Sequence, residues 1–201
     1  GAKVMALKTQ VLGATSVITY DLHADQIQGF FEIPVTHIEG KNVFDDYIKE
    51  LYLASASPSS LILCGPDFGS GKRVKRVKGQ LSKYHGIDLD MVIMDKTRSK
   101  ANKVDNMIVI GEVKGKDVII LDDMIDTGGT LCAGVDALLE KGANSVRAII
   151  SHGVLSGKAY ENISKSNLLE LVISDSLPSK EGADKIKVIS VAKQIALAMA
   201  A

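Results

Sequence analysis

The chain carries no net charge, with 24 lysines and arginines against 24 aspartates and glutamates in 201 residues. It therefore lacks a global positive field able to hold nucleic acid or an anionic membrane, and neither is expected as a partner. A small polyanionic ligand stays open, because a small site needs only local charge. Cysteine is nearly absent. Cys64 and Cys132 sit among apolar or small residues without metal-ligand spacing, which reads as two buried thiols in a reducing compartment. No apolar run reaches transmembrane length. Lys3 and Lys8 interrupt the apolar start of the chain, so no signal peptide is expected and a cytoplasmic location is. Internal repeats and low-complexity segments are lacking too. Hydrophobic residues make up 46% and charged residues 24%, the composition of a globular protein.

What is present is an alternation of short apolar runs with helical patterns, the signature of a parallel-sheet α/β fold with helices on both faces. Strands are expected over 16–20, 60–64, 89–94, 107–110, 117–121, 145–151 and 168–173. They are rich in Val, Ile and Leu without strict alternation, as strands covered on both faces should be. Helices are expected over 2–12, 43–53, 71–84, 130–141, 158–165 and 191–200. Leu131, Val135, Leu138 and Leu139 form one apolar stripe, and Gly142 stands as a stop signal.

Four segments carry chemistry. In Val118-Ile-Ile-Leu-Asp-Asp-Met-Ile-Asp-Thr-Gly-Gly-Thr130 a hydrophobic strand runs into two acids, then a third acid, two glycines and two threonines, before a helix. That places a turn at the C-terminal end of a strand, where α/β folds bind ligands. The N–H groups of Thr127 to Thr130 at a helix N-terminus suit a phosphate. Asp122 and Asp123 would repel a phosphate, so they fit sugar hydroxyls, directly or through Mg²⁺. The plainer alternative is a helix merely capped by Asp126 or Thr127. In Asp21-Leu-His-Ala-Asp-Gln-Ile-Gln-Gly-Phe-Phe31, His23 and Asp25 offer a metal ligand or a phosphate contact, although a lone histidine is more often a satisfied, partly buried ring. Gly65-Pro-Asp-Phe-Gly-Ser-Gly-Lys-Arg73 follows a strand and precedes a basic helix. It supplies Asp67 and Arg73 for such a site, or else simply opens a solvated helix. Asp95-Lys-Thr-Arg-Ser-Lys-Ala-Asn102 is polar and without a hydrophobic anchor, a loop suited to closing over a phosphate chain.

Together these segments resemble the ribose-phosphate pyrophosphokinases (PRPP synthetases), over essentially the whole chain. The first is similar to the phosphoribosyl-diphosphate loop that this family shares with type I phosphoribosyltransferases, which implies a phosphoribosyltransferase-like sheet. The second is similar to a signature of the synthetases alone. The resemblance implies transfer of the β,γ-diphosphoryl group of ATP to O1 of ribose 5-phosphate, giving PRPP and AMP, with Mg²⁺ as cofactor. It assigns Asp122 and Asp123 to the ribose, and Asp126, Thr127, Gly128, Gly129 and Thr130 to its 5-phosphate. His23, Asp25 and Arg73 go to ATP, His23 and Asp67 to the metal, and Lys96 and Arg98 to the diphosphate in transit. A non-catalytic synthetase-like partner and a phosphoribosyltransferase are the alternative functions.

The chain departs from the family in two ways. Ser70 stands where the family has a second glycine, which puts the local backbone in question. The family also has roughly half as many residues again ahead of the point matching Gly1, including two ATP-binding motifs that do not occur here. The expectation is a remnant of a first domain at 1–37 and a phosphoribosyltransferase-like domain at 38–176. A strand and helix at 177–201 are assigned to the first domain. A chain poorly active by itself and assembled as a homo-oligomer, dimer or hexamer, is expected as well. The residues Ser151-His-Gly-Val-Leu-Ser-Gly157 also resemble a family segment, without an evident chemical role.

Overall fold

The computed structural model describes residues 1–97, 106–180 and 183–200. Among them, nine strands and six α-helices follow the expected alternation. The strands β3 (Leu61–Gly65), β4 (Asp90–Thr97), β5 (Asn106–Ile110), β6 (Asp117–Ile125), β7 (Ser145–Gly153), β8 (Glu170–Ser174) and β9 (Ile186–Ile189) form one sheet in the order β5-β4-β3-β6-β7-β8-β9. Every pairing in it is parallel except β4 with β5. β1 (Val17–Tyr20) and β2 (Val35–Ile38) make a separate parallel pair.

The strands alternate between two cores because successive side chains point to opposite faces. Leu61, Leu63, Ile119 and Leu121 meet α2 (Lys41–Ala54) and α3 (Gly71–His85) on one face. Ile62, Cys64, Ile120 and Ile150 meet α4 (Gly129–Glu140) and α5 (Ala159–Lys165) on the other. Helix α3 is built for this: five of its first eight residues are cationic, yet Val74, Val77 and Leu81 recur on one buried stripe. It ends at Gly86 with φ 66°, and α4 ends just before Gly142 with φ 94°. These left-handed positions let the next amides reach back to the helix carbonyls, as in Ala143 N–H to Leu138 at 3.1 Å.

Three features depart from expectation. β5 runs antiparallel at the sheet edge. β2 is a strand that four residues flanked by Pro34 and Gly40 did not announce. The third concerns 177–201, assigned above to the N-terminal segment. Its strand, β9, instead pairs with β8 and gives that strand's open ladder a partner, while α6 (Ala192–Ala200) packs against β1 and β2. Exposed apolar side chains gather near the two ends: Val4, Met5 and Leu7 on α1 (Ala2–Val11), and Ile195, Leu197 and Met199 on α6. No helix among the described residues is long and apolar enough to cross a membrane.

The direction of winding positions the site. From β3 the chain crosses by α3 to β4 on one side, and from β6 it crosses by α4 to β7 on the other. β3 and β6 are neighbours, so the connections diverge and leave a crevice outside their carboxyl ends. Leu81 is fully buried where α3 meets the sheet. Leu81→Ala should cost about 2–5 kcal/mol in a denaturant titration, whereas Tyr84→Ala on the exposed side of the same helix should change stability by less than about 0.5 kcal/mol.

Candidate functional site

The crevice is a cleft of about 440 Å³. The turn after β1 brings Asp21, His23 and Asp25 to it, the turn after β3 brings Asp67 and Arg73, and the end of β6 brings Asp122 and Asp123. Three sequence segments far apart in the chain thus share one wall. β6 continues through both acids to Ile125, further than expected, because β7 supplies a partner ladder as far as Gly153; this pairing overrides the poor strand propensity of aspartate.

Within the cleft the charges are organised. Asp21 is 4% exposed, and its carboxylate accepts hydrogen bonds from Arg73 and Ser151. His23 Nδ1 lies 2.9 Å from Asp123 Oδ2, with the ring itself 77% exposed. That bond, with the Asp123 charge, raises the His23 pKa. Burial works against charge on Asp123, but the His23 bond and the nearby Arg73 outweigh it and hold its pKa low. Burial, reinforced by the charge of Asp123, pushes Asp122 up to about 7. Asp25 is paired to Arg76 at 2.5 Å, which lowers its pKa.

The turn after β3 answers the question raised by Ser70. Its φ of −73° is ordinary right-handed backbone, so no glycine is needed there. Its amide donates to Asp67 Oδ1 at 2.9 Å and its hydroxyl to the Asp67 carbonyl at 2.6 Å, so the serine itself closes the turn.

A smaller cavity of about 180 Å³ adjoins the cleft across Asp122, lined by Thr127, Gly128 and Thr130 and floored by Met94, Ile120 and Leu131. Gly128 takes φ 77°, and α4 begins at Gly129 with no side-chain cap. The capping alternative therefore does not hold: the Asp126 carboxylate is engaged by the Ser156 hydroxyl instead. The first intrahelical bond runs from Cys132 N–H to Gly128 at 2.9 Å, leaving the amides of Gly129, Thr130 and Leu131 ahead of it for a ligand. Asn162 fastens the loop from α5, its Nδ2 donating to the Thr127 carbonyl at 2.9 Å. Gly129 needs no special conformation, and a Cβ there would meet nothing closer than 4.0 Å.

Lys96 lies in β4 opposite Met107 rather than in the loop where it was expected, because β5 extends the ladder to Thr97. Arg98 falls outside the described residues. Several cleft residues went unpredicted: Asp21, Glu39, Lys41 and Arg76. Asp21 was accessible in principle as the first residue of its segment; the others show no local signal.

Six carboxylates (Asp21, Asp25, Glu39, Asp67, Asp122, Asp123) face four cationic side chains (Lys41, Lys72, Arg73, Arg76) in the cleft. Such a surface accepts a polyphosphate only with a divalent cation between them. Among the described residues no three metal-type ligands are prearranged. Mg²⁺ needs none, since it binds through one or two carboxylates plus substrate phosphates and keeps its waters. The donor set fits a hard cation arriving with a phosphate ligand.

Asp122 supplies a pH test. Its folded pKa lies above the unfolded value, so the folded state binds the extra proton and loses stability as pH rises from about 4 to about 7. In chelator-treated protein, Asp122→Asn should match wild type near pH 4 and be more stable near pH 8, by on the order of 1–3 kcal/mol, in parallel denaturant melts.

The family model described as "Phosphoribosyl synthetase-associated domain" matches residues 75–200. The chain is 48% identical over 191 residues to the ribose-phosphate pyrophosphokinase of Wolinella succinogenes, covering 95% of this chain and 58% of that protein. It is 41% identical over 200 residues to ribose-phosphate pyrophosphokinase A of Dictyostelium discoideum, covering 98% and 60%. The crystal structure of phosphoribosylpyrophosphate synthetase from Mycobacterium smegmatis superposes with a TM-score of 0.86 at 32% identity, over 99% of this chain and 62% of that one. The chain spans less than two thirds of the length of these relatives.

Proposed function

Because the chain belongs to the phosphoribosyl synthetase (ribose-phosphate pyrophosphokinase) family, we propose that its site serves diphosphoryl transfer from ATP to O1 of ribose 5-phosphate, yielding PRPP and AMP for nucleotide biosynthesis. The observation that carries this reading is the convergence of His23, Asp67, Arg73, Asp122 and Asp123 on one cleft, next to a phosphate-sized cavity under the Gly128 turn.

In this reading the amides ahead of α4, with Thr127 and Thr130, take the 5-phosphate, assisted by the helix dipole. Asp122 and Asp123 grip the ribose hydroxyls and turn O1 toward the larger cleft. ATP lies there along His23, Asp25 and Arg73. Asp67 and His23 would hold Mg²⁺, which would supply charge neutralisation for the phosphates. The O1 hydroxyl attacks the β-phosphorus and gives up its proton to solvent, the bond from that phosphorus to the α,β-bridging oxygen breaks, and AMP departs. No side-chain nucleophile is required. Catalysis consists of positioning and charge neutralisation, to which Lys96 and Arg98 contribute cations on the moving diphosphate. Self-association as a homo-oligomer is part of the proposal, and sedimentation of the purified chain measures it.

Calorimetry with ribose 5-phosphate tests the acceptor half. Wild type should bind, and Thr130→Ala should weaken binding by about 3- to 10-fold. Gly128→Val should weaken it further, because valine resists the φ of 77°. Equal binding in all three would overturn the assignment. AMP release from Mg-ATP tests the transfer. In an assembly restored to the relatives' full length, Lys96→Ala and Arg98→Ala should lower kcat by about 10²- to 10³-fold with little change in KM for ribose 5-phosphate.

A further inference from the structure

Residues 151–157 line neither cavity, yet they touch both walls of the site. At one end the Ser151 hydroxyl, on a side chain only 2% exposed, donates to the same Asp21 oxygen that receives Arg73. His152 Nε2 lies 3.1 Å from the Asp21 carbonyl and Nδ1 lies 2.8 Å from Ser176 Oγ. A carbonyl only accepts, so Nε2 carries a proton and donates to Asp21. At the other end the Ser156 hydroxyl donates to Asp126 in the phosphate loop. Between them, the amides of Val154 and Leu155 both donate to the Ile125 carbonyl, at 3.0 and 3.3 Å.

Backbone strain marks the same two places. Asp21, at φ 42°, and Leu155, at φ 50°, are the non-glycine residues with positive φ among those described. Such conformations persist where the surroundings over-determine them, and they gather at functional sites. This segment holds the first and contains the second: Asp21 is held by Ser151 and His152, and Leu155 is fixed by the Ile125 carbonyl and by its own buried side chain.

We propose that 151–157 is a positioning bracket for the two binding surfaces. Through Ser151 and Asp21 it sets Arg73 in the larger cleft, and through Ser156 it sets Asp126 in the phosphate loop. β7 thereby holds the donor and acceptor surfaces at one separation. The inference rests on the reading above, in which the two surfaces take the two substrates of a direct transfer. Such a transfer demands alignment to about 0.5 Å. Ser151 and Ser156 line neither cavity and act as positioning residues.

Amide hydrogen exchange without ligand, followed by ribose 5-phosphate calorimetry, tests this on wild type, Ser151→Ala, Ser156→Ala and Ser156→Thr. Ser156 is exposed, so its replacement leaves the core intact. Ser156→Ala should speed exchange of the 126–130 amides by about tenfold and raise the ribose 5-phosphate Kd by about tenfold, the equivalent of one hydrogen bond. Ser156→Thr, which keeps the hydroxyl, should stay within about threefold of wild type on both. Ser151→Ala should speed exchange at the Asp21 amide, which donates to Ile38 at 2.8 Å, by about tenfold. Unchanged exchange in either alanine variant would overturn the bracket, as would equal losses in Ser156→Ala and Ser156→Thr. If wild type fails to bind ribose 5-phosphate while Ser156→Ala still loosens the loop, the substrate reading falls and the bracket stands.

Discussion

Two neighbouring parallel strands whose connections leave in opposite directions cannot close the space beyond their carboxyl ends, and the rest of this molecule is arranged around that constraint. β3 and β6 are such a pair. The crossovers by α3 and α4 lie on opposite faces of the sheet, so the turn after β3 and the turn after β6 stand on either side of an open crevice. Asp67 and Arg73 come from the first turn, and Asp122 through Thr130 from the second. The β1–β2 pair then closes a third side and contributes Asp21 and His23.

Charge follows from this geometry. Carboxylates packed this closely repel one another, and burial penalises each of them. The structure answers with specific partners: Arg73 for Asp21, His23 for Asp123, Arg76 for Asp25. Asp122, more buried and beside Asp123, is left with a raised pKa. Perturbations of this kind, pushing two adjacent carboxyls in opposite directions, are characteristic of ligand sites more than of structural ion pairs. The excess of carboxylates over cationic side chains in the cleft is why the proposed phosphate ligand would bring a divalent cation with it, although the chain as a whole is neutral.

The loop proposed to take the phosphate illustrates how stability and function divide. Gly128 supplies the left-handed turn, and the helix behind it is left uncapped. A side-chain cap would stabilise α4 by about 1 kcal/mol but would occupy the amides a ligand needs. Asp126, one of the two residues expected to cap, is engaged by Ser156, and Asn162 holds the loop by its backbone. The loop is thus preformed without being satisfied.

The sequence alone determined the α/β class, the existence and order of nearly every long element, and the segments that carry chemistry. These are local properties: apolar runs of strand length, helical stripes such as Val74, Val77 and Leu81, and glycines where φ must be positive. Asp122, Asp123 and the turn to Thr130 were legible for the same reason, as was His23 within its segment. What only the tertiary structure decided depends on which strand lies beside which. The reach of β6 through its acids depends on β7, the strand conformation of Lys96 on β5, and the place of β9 at the edge of the large sheet on the open ladder of β8. The partnership of Asp21 with Arg73 and Ser151 joins residues 52 and 130 positions apart. No periodicity or propensity encodes a contact at that separation; it arises when the folded sheet brings the carboxyl ends of β1, β3 and β7 to one place.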